Sequence, residues 1–208
     1  MTVFARLRRL RTRRALPPGL RARLAGQKSR RERLRTDRET LAQPLALARY
    51  VVLDLETTGP RMMVDTIISI GAVAVAERAI RHDDAFERVL RQPQSSAHDN
   101  ILVHQIGGQA QAAGDDPASA LVDFLEHLAA SIAVAFRAEF DATVLTRETE
   151  ARLGILLPTR FLDHAIADAY AEAQLWLLAL EQAHRAGLRT VGDLVELERA
   201  QRWLGKRH

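Results

Sequence analysis

The chain has 208 residues, of which 47% are apolar, so it is long enough and apolar enough for one globular domain with a substantial core. It has no cysteine, which excludes disulfide bonds and thiolate zinc sites and fits a reducing compartment, and we predict a cytoplasmic location. No apolar run reaches the length of a membrane-spanning helix, so no membrane partner is expected.

The net charge of +4 is unevenly distributed along the chain. Residues 1–40 carry fourteen basic and three acidic side chains, whereas the remaining residues carry sixteen basic and twenty-three acidic ones. We assign residues 1–48 to a basic arm and linker, in which leucines at helical spacing and the break at Pro17-Pro18-Gly19 predict two short helices. Two interpretations stay open: an arm that contacts phosphates, or a solvated segment that packs on its own acidic domain or is disordered.

The predicted globular domain, residues 49–208, begins with three strands. Tyr50–Leu55 is apolar on both faces, which is typical of a central strand. Ile67–Val75 predicts a second strand and Ala85–Leu90 a third, half-buried one. Three strands in succession indicate an antiparallel meander.

The rest of the chain alternates helices and strands, which together with the meander indicates an α/β layered fold. The capping and termination signals are Asp, Pro, Thr and Gly at element ends. The predicted elements are a helix capped by Asp116-Pro117 and running to about Ala130, a strand at Ile132–Phe136, a helix at Asp141–Leu153 ending at Gly154, a strand at Thr159–Leu162, a long helix capped by Asp163 and running to Gly187, and a last helix that starts at Thr190, has Asp193 in its capping box and ends at Gly205.

The end of the first strand carries a pair of acids. Asp54 and Glu56 are two residues apart in YVVLDLETTGP, so their side chains point to the same face, and Gly59 lets the backbone turn away. Two convergent carboxylates repel each other unless a cation lies between them, and hard divalent ions such as Mg²⁺ or Mn²⁺ prefer oxygen ligands. The alternative is a solvated strand end with two unrelated acids.

YVVLDLETTGP, with IISIGAVAV close behind it, resembles the first motif of the DEDD 3′–5′ exonucleases, the group that includes the proofreading epsilon subunit of bacterial DNA polymerase III. The resemblance covers about residues 49–205 and implies a ribonuclease H-like fold, a mixed sheet flanked by helices, to which the basic arm is added. It also implies metal-dependent hydrolysis at the 3′ end of single-stranded DNA, with release of nucleoside monophosphates. An RNA substrate and a DNA polymerase partner are left open by the sequence.

Two further strings extend the resemblance. VAFRAEFDATVL, Val134–Leu145, is similar to the second motif: Phe140-Asp141 matches and makes Asp141 the third metal carboxylate, whereas Phe136-Arg137 stands where a His-Asn pair is usual. The alternative for Asp141 is an ordinary helix N-cap. LDHAIADAYAEAQLWL is similar to the third motif and makes Asp168 the fourth carboxylate.

The third motif departs from the family in its histidine. The family histidine position falls on Asp163, and His164, one residue later, is the nearest candidate for the general base. Only 27 positions separate Asp141 from Asp168, fewer than in relatives. We hypothesise that a segment is absent between residues 163 and 164. This departure favours a second functional alternative, a catalytically weak exonuclease fold that binds nucleic acid or docks a partner.

The resemblance also implies a cofactor and a substrate site. Four carboxylates would hold two divalent ions, Mg²⁺ or Mn²⁺, about 4 Å apart. For Thr57 and Thr58 the alternative is a simple capping turn, and for His104 it is a satisfied loop histidine. The residues expected around the terminal nucleotide are Thr57, Thr58, His104, Ile106 and Phe140.

Overall fold

The computed structural model describes residues 16–25, 41–129, 131–155, 157, 161–163 and 169–205. Within these ranges the chain forms one mixed sheet with helices on both faces. The strands are β1 Tyr50–Thr57, β2 Ile67–Ala76, β3 Ala79–Val89, β4 Ile132–Ala135 and β5 Phe161–Asp163. The helices are α1 His98–His104, α2 Gly108–Ala113, α3 Pro117–Leu128, α4 Ala138–Leu153, α5 Ala169–Arg185 and α6 Val191–Gly205.

The sheet has the strand order β3-β2-β1-β4-β5. β1 pairs antiparallel with β2, which pairs antiparallel with β3, so the predicted meander is confirmed. β1 pairs in parallel with β4, and β4 with β5. β1 is therefore central, as its apolar character on both faces predicts. This is the α/β arrangement expected of a ribonuclease H-like fold.

Alternation along β1 divides the core between the two faces of the sheet. Leu53 and Leu55 belong to the cluster that α3 and α4 cover. Tyr50 and Val52 point to the other face, where α5 and α6 pack, and the Tyr50 ring contacts the Trp176 ring edge-on with centroids 5.2 Å apart. Asp54 and Glu56 follow Tyr50 and Val52 at intervals of two residues, so their side chains lie on the face of the sheet where α5 packs.

Residues 18–25 form a helical segment that lies on the domain itself. Leu24 is only 4% exposed and belongs to the core cluster under α3 and α4. The Arg23 guanidinium contacts Asp123 at 2.6 Å and the Glu126 carboxylate at 2.5 and 2.8 Å. For this part of the arm, the structure matches the alternative of a helix packed on its own acidic domain.

Residues 41–48 also lie against the domain. Leu45 and Ala48 are buried in the cluster under α5 and α6. The Leu45 N–H donates to the Arg189 carbonyl at 2.9 Å, and Pro44 forms a β-bridge with Thr190. The chain thus enters β1 from a segment fixed beside the start of α6.

The cap signals of the sequence act as predicted in two helices. The Asp116 carboxylate accepts a hydrogen bond from the Ser119 N–H at 3.0 Å at the start of α3. The Asp193 carboxylate accepts from the Thr190 N–H at 2.8 Å, and the Thr190 hydroxyl accepts from the Asp193 N–H at 3.3 Å, which completes the capping box of α6.

Two predicted boundaries were wrong. β3 begins at Ala79 and is much longer than Ala85–Leu90. α4 begins at Ala138, so Asp141 lies inside its first turn and is not the N-cap. Asp163 is the last residue of β5 and pairs with Ala135, whereas the start of the helix that it is predicted to cap lies outside the described residues. In the described part of the chain, no helix is both long and apolar enough to cross a membrane.

Candidate active site

The carboxyl end of β1 places two acids on one face of the sheet. Asp54 lies opposite Gly71 of β2, and Glu56 lies opposite Ser69. Both acids are half-buried. A Cβ atom added at Gly71 would meet nothing within 4 Å, so the space beside Asp54 is open. The strand end therefore offers two carboxylates next to a free volume.

The two carboxylates influence each other electrostatically. Burial raises the pKa of the Glu56 carboxyl above its ordinary value, and the negative charge of Asp54 raises it further. Both effects disfavour two charged groups here, and a cation between them would relieve both. The pair fits the carboxylate ligands of a hard divalent ion.

The third predicted carboxylate lies at the same edge of the sheet. β4 runs parallel to β1, so their carboxyl ends coincide, and α4 starts three residues after β4. Asp141 is in the first turn of α4, where its N–H donates to the Arg137 carbonyl at 3.0 Å, and it is only 5% exposed. An acid whose only role is to cap a helix is usually exposed to solvent, so the burial of Asp141 is unusual for a cap.

The remaining chemistry is predicted at the start of α5. Trp176 packs on Tyr50, and His184 lines a small cavity with Ala48 and Tyr50, so the carboxyl half of α5 lies beside the start of β1. The amino end of α5, Ala169, therefore points toward the opposite end of β1, where the acid pair lies. Asp168 and His164 themselves lie outside the described residues, as does the 163/164 join where a segment is hypothesised to be absent.

The predicted threonines form part of a closed loop after β1. The Thr57 hydroxyl donates to the Gly59 carbonyl at 2.7 Å, and the Thr58 hydroxyl donates to the Asp65 carboxylate at 3.3 Å. Asp65, 6% exposed, also accepts from the Arg61 N–H at 2.8 Å. A Cβ at Gly59 would lie 2.8 Å from the Asp65 carboxylate, so the loop needs glycine there. Asp65 was not predicted from the sequence, where its only signal is an acid just before β2.

His104 is engaged within the protein. Its Nδ1 accepts from the Ile106 N–H at 3.0 Å, which requires the Nε2–H to face the Ser96 hydroxyl, 3.1 Å away. The side chain is buried, and burial lowers its pKa. These contacts match the alternative of a satisfied loop histidine, while the half-buried Ile106 stays a predicted substrate contact. Helix α1 is tied to the site by Asn100, whose side-chain amide donates to the Thr57 carbonyl at 2.7 Å.

Phe140 is 8% exposed and packs in the core cluster under α3 and α4. The guanidinium of Arg137 lies over its ring, 4.9 Å from the ring centre. The neighbouring Phe136 is 42% exposed, and it was not among the predicted contacts. The sequence placed Phe136 at the end of the predicted strand Ile132–Phe136 and, with Arg137, at the position of the family's His-Asn pair, whereas β4 ends at Ala135.

The described donors alone do not complete the predicted metal site. No three His, Asp or Glu side chains among them come together as a metal-binding group. The described donors comprise the Asp54–Glu56 pair and the buried Asp141, all hard oxygen ligands at one sheet edge. Their chemistry fits a divalent ion, and the predicted set needs a further ligand from the undescribed residues before α5.

Comparisons with known proteins bear on this edge of the sheet. The family model RNase_T, described as Exonuclease, matches residues 51–186, which is well over half of the chain and includes all four predicted carboxylates. No protein of curated function matches the sequence.

Solved structures of exonuclease I are similar to part of this chain. Escherichia coli exonuclease I in complex with a dT13 oligonucleotide superposes with a TM-score of 0.56 and 12% identity, over 67% of this chain and 42% of that one. A product-bound exonuclease I has a TM-score of 0.49 and 14% identity, over 56% of this chain and 30% of that one. The matched part is thus less than half the length of these exonucleases.

Proposed function

The chain belongs to the exonuclease family, and from that membership we propose that it is a metal-dependent 3′–5′ exonuclease acting on single-stranded DNA and releasing nucleoside monophosphates. The observation that carries the proposal is the acid pair: Asp54 and Glu56 converge on one face at the end of the central strand, beside open space and inside the matched region. The bound oligonucleotide of the exonuclease I neighbour is the reason to choose DNA as the first substrate to test.

Each residue has a role in this proposal. Asp54, Glu56 and Asp141, with Asp168, would hold Mg²⁺ or Mn²⁺, and the ions would supply an activated water and stabilisation of the leaving 3′ oxygen. Burial and, to a lesser extent, the charge of Asp54 raise the pKa of Glu56, and a bound cation would offset both effects. Asp141 contributes a carboxylate that solvent hardly reaches, so its charge is little screened.

The proton of the attacking water needs a base. A histidine near its ordinary pKa of about 6.5 suits this role at neutral pH, and His164 is the candidate next to the carboxylates in sequence. Asp163 is the weaker candidate because an aspartate with an ordinary pKa of about 3.9 is a poor base. His104 is not a candidate, since both of its ring nitrogens are engaged with Ile106 and Ser96.

The direct test is degradation of a 5′-labelled single-stranded oligonucleotide with Mg²⁺ or Mn²⁺. We expect a ladder of products shortened from the 3′ end, which chelation with EDTA removes. Asp54→Asn keeps the shape of the side chain but not its charge, and it should abolish the ladder. Asp83→Asn is the matched control, because Asp83 is an exposed acid on the outer strand that pairs with Arg81.

Two outcomes would contradict the proposal. If the wild-type chain binds the metal but yields no mononucleotides, the chain is the catalytically weak binding module instead. If a matched RNA oligonucleotide is degraded faster than DNA in competition, the fold acts on RNA, because only contacts to the 2′-hydroxyl separate the two substrates.

A further inference from the structure

The turn between β4 and α4 presents an exposed aromatic ring and an exposed guanidinium. Phe136 is 42% exposed although it follows a strand whose residues are all buried. Arg137, the next residue, is exposed as well. Both side chains are therefore accessible to a ligand.

The backbone places both residues beside the candidate site. Val134 pairs with Val52, and Phe136 and Asp54 each lie two residues further along the two parallel strands. The Arg137 carbonyl accepts the Asp141 N–H at 3.0 Å, so Arg137 lies one helical turn before the buried acid. An exposed ring and a cation thus flank two of the predicted metal carboxylates.

The guanidinium of Arg137 is held in place by an aromatic ring and not by a described acid. It lies over the Phe140 ring at 4.9 Å from the ring centre, and that ring is fixed by its burial. No carboxylate among the described residues forms an ion pair with it, whereas Arg23 and Arg49 are each bound to acids. A stacked guanidinium keeps its edge free to donate to an oxyanion such as a phosphate.

We propose that Phe136 and Arg137 hold the single-stranded substrate next to the scissile bond. Arg137 binds a backbone phosphate, and the Phe136 ring stacks on a base. This inference rests on the proposed function and assigns two substrate contacts to the same site. An aromatic face and a phosphate-binding cation accept any base, so the pair gives binding without sequence preference.

The charge contact is tested by binding without cleavage. The full chain carrying Asp54→Asn is titrated, in EDTA, with a short 5′-labelled oligonucleotide, and fluorescence anisotropy gives Kd over a range of salt concentrations. Adding Arg137→Gln should lower the slope of log Kd against log salt by about 0.7, the value for one phosphate contact on a single strand. Arg137→Lys should restore the slope. Arg81→Gln removes one charge on the outer strand and should leave it unchanged.

The stacking contact has a separate readout. Phe136→Leu in the same background should weaken binding about fivefold or more, and Phe136→Trp should retain it. The difference between Phe136 and leucine should disappear on an oligonucleotide with abasic sites, because no base remains to stack. Leu47→Ala, at a side chain that is 72% exposed in the segment before β1, is the control for loss of exposed apolar surface.

The outcomes separate this inference from the proposed function. An unchanged salt slope in Arg137→Gln, or an equal effect of Phe136→Leu on normal and abasic strands, would overturn the contacts even if the wild-type chain cleaves DNA. A reduced slope and a base-dependent loss would support them even if the wild-type chain cleaves nothing, in which case the nuclease assignment alone fails.

Discussion

A single buried carboxylate closes the loop that leads out of β1. Asp65 accepts from the Arg61 N–H at 2.8 Å and from its guanidinium at 3.2 Å, and the side-chain hydrogen bond to Arg61 is the main reason that its pKa lies below the ordinary value of 3.8. A lowered pKa means that the folded state binds this proton less readily than the unfolded state. The stabilisation is therefore present above pH 3.8 and is lost as the pH falls through the folded value.

Replacing Asp65 with asparagine should destabilise the protein at neutral pH and hardly at all in acid. We expect a loss of about 1 kcal/mol in the free energy of unfolding at pH 7, since hydrogen bonds to the charged group are weakened and Arg61 is largely exposed. Urea unfolding at pH 7 and near pH 3 measures the difference. Asp83→Asn, at an exposed acid, is the control. A loss that is equal at both pH values would show that the charge of Asp65 is not what matters.

His127 also makes stability fall in acid, but over a higher pH range. Its side chain is 10% exposed, and its Nδ1 lies 3.4 Å from the Asp84 carboxylate. Burial lowers its pKa below the ordinary 6.5, the neighbouring Arg49 lowers it further, and Asp84 opposes both. Below pH 6.5, His127 is protonated in the unfolded chain but still neutral in the folded chain. The free energy of unfolding therefore decreases as the pH falls from 6.5 to the folded pKa.

His127→Gln should flatten the loss of stability between pH 7 and pH 5. The variant removes the titrating group, while the backbone carbonyl of residue 127 still accepts from Arg49 at 3.1 Å. Thermal unfolding at half-unit pH steps measures the slope. His98→Gln, at an exposed histidine, should keep the wild-type slope. If both variants behave like the wild type, the acid sensitivity has another source.

At the scale of elements, strands with a strong apolar pattern are predicted well from the sequence, whereas the extent of a strand that follows an unusual turn is not. β1 and β2 are nearly continuous apolar runs, and both were predicted to within two residues at each end. β3 was predicted too short because its hairpin turn is Glu77-Arg78, with φ of 53° and 63°. Turns of this kind usually contain Asn or Gly. Because this turn contains neither, the charged first half of β3 resembles a loop in the sequence.

The helical segment at residues 18–25 belongs to the basic arm, and its packing on the domain can be tested by mutation. Leu24 is 4% exposed in the main core cluster, so Leu24→Ala should lower the free energy of unfolding by about 2 to 3 kcal/mol. Leu47→Ala, at a side chain that is 72% exposed, should change it little. Chemical denaturation of both full-length variants gives the comparison. A negligible effect of Leu24→Ala would mean that the segment leaves the domain in solution.

At the scale of the whole molecule, the candidate site combines positions that are far apart in the chain. Asp54 and Glu56 could be paired from sequence because strand alternation puts neighbours two apart on one face. That Asp141 lies at the same end of the sheet depends on the parallel pairing of β1 with β4, which only the fold supplies. The exposure of Phe136 and the ring contact of Arg137 depend on how α4 starts, and no local pattern specifies that.

Charge is divided across the molecule in a way that favours a role for the rest of the arm. The residues after the arm carry a net charge of −7, which repels nucleic acid, whereas residues 1–15 contain six arginines and no acid. Replacing these six arginines with glutamine should therefore weaken binding of single-stranded DNA at low salt. It should also lower the slope of log Kd against log salt, by up to about 4 if every arginine contacts a phosphate.

Fluorescence anisotropy on the full-length Asp54→Asn chain measures this effect without cleavage. The control replaces Arg78 and Arg81, which pair with the protein's own acids Glu181 and Asp83. Unfolding should be unaffected by either set, because Leu24 and Arg23 anchor the segment that follows residue 15. An unchanged slope in the six-fold variant would show that the acidic domain binds its substrate through the site alone, and that the basic arm serves another partner.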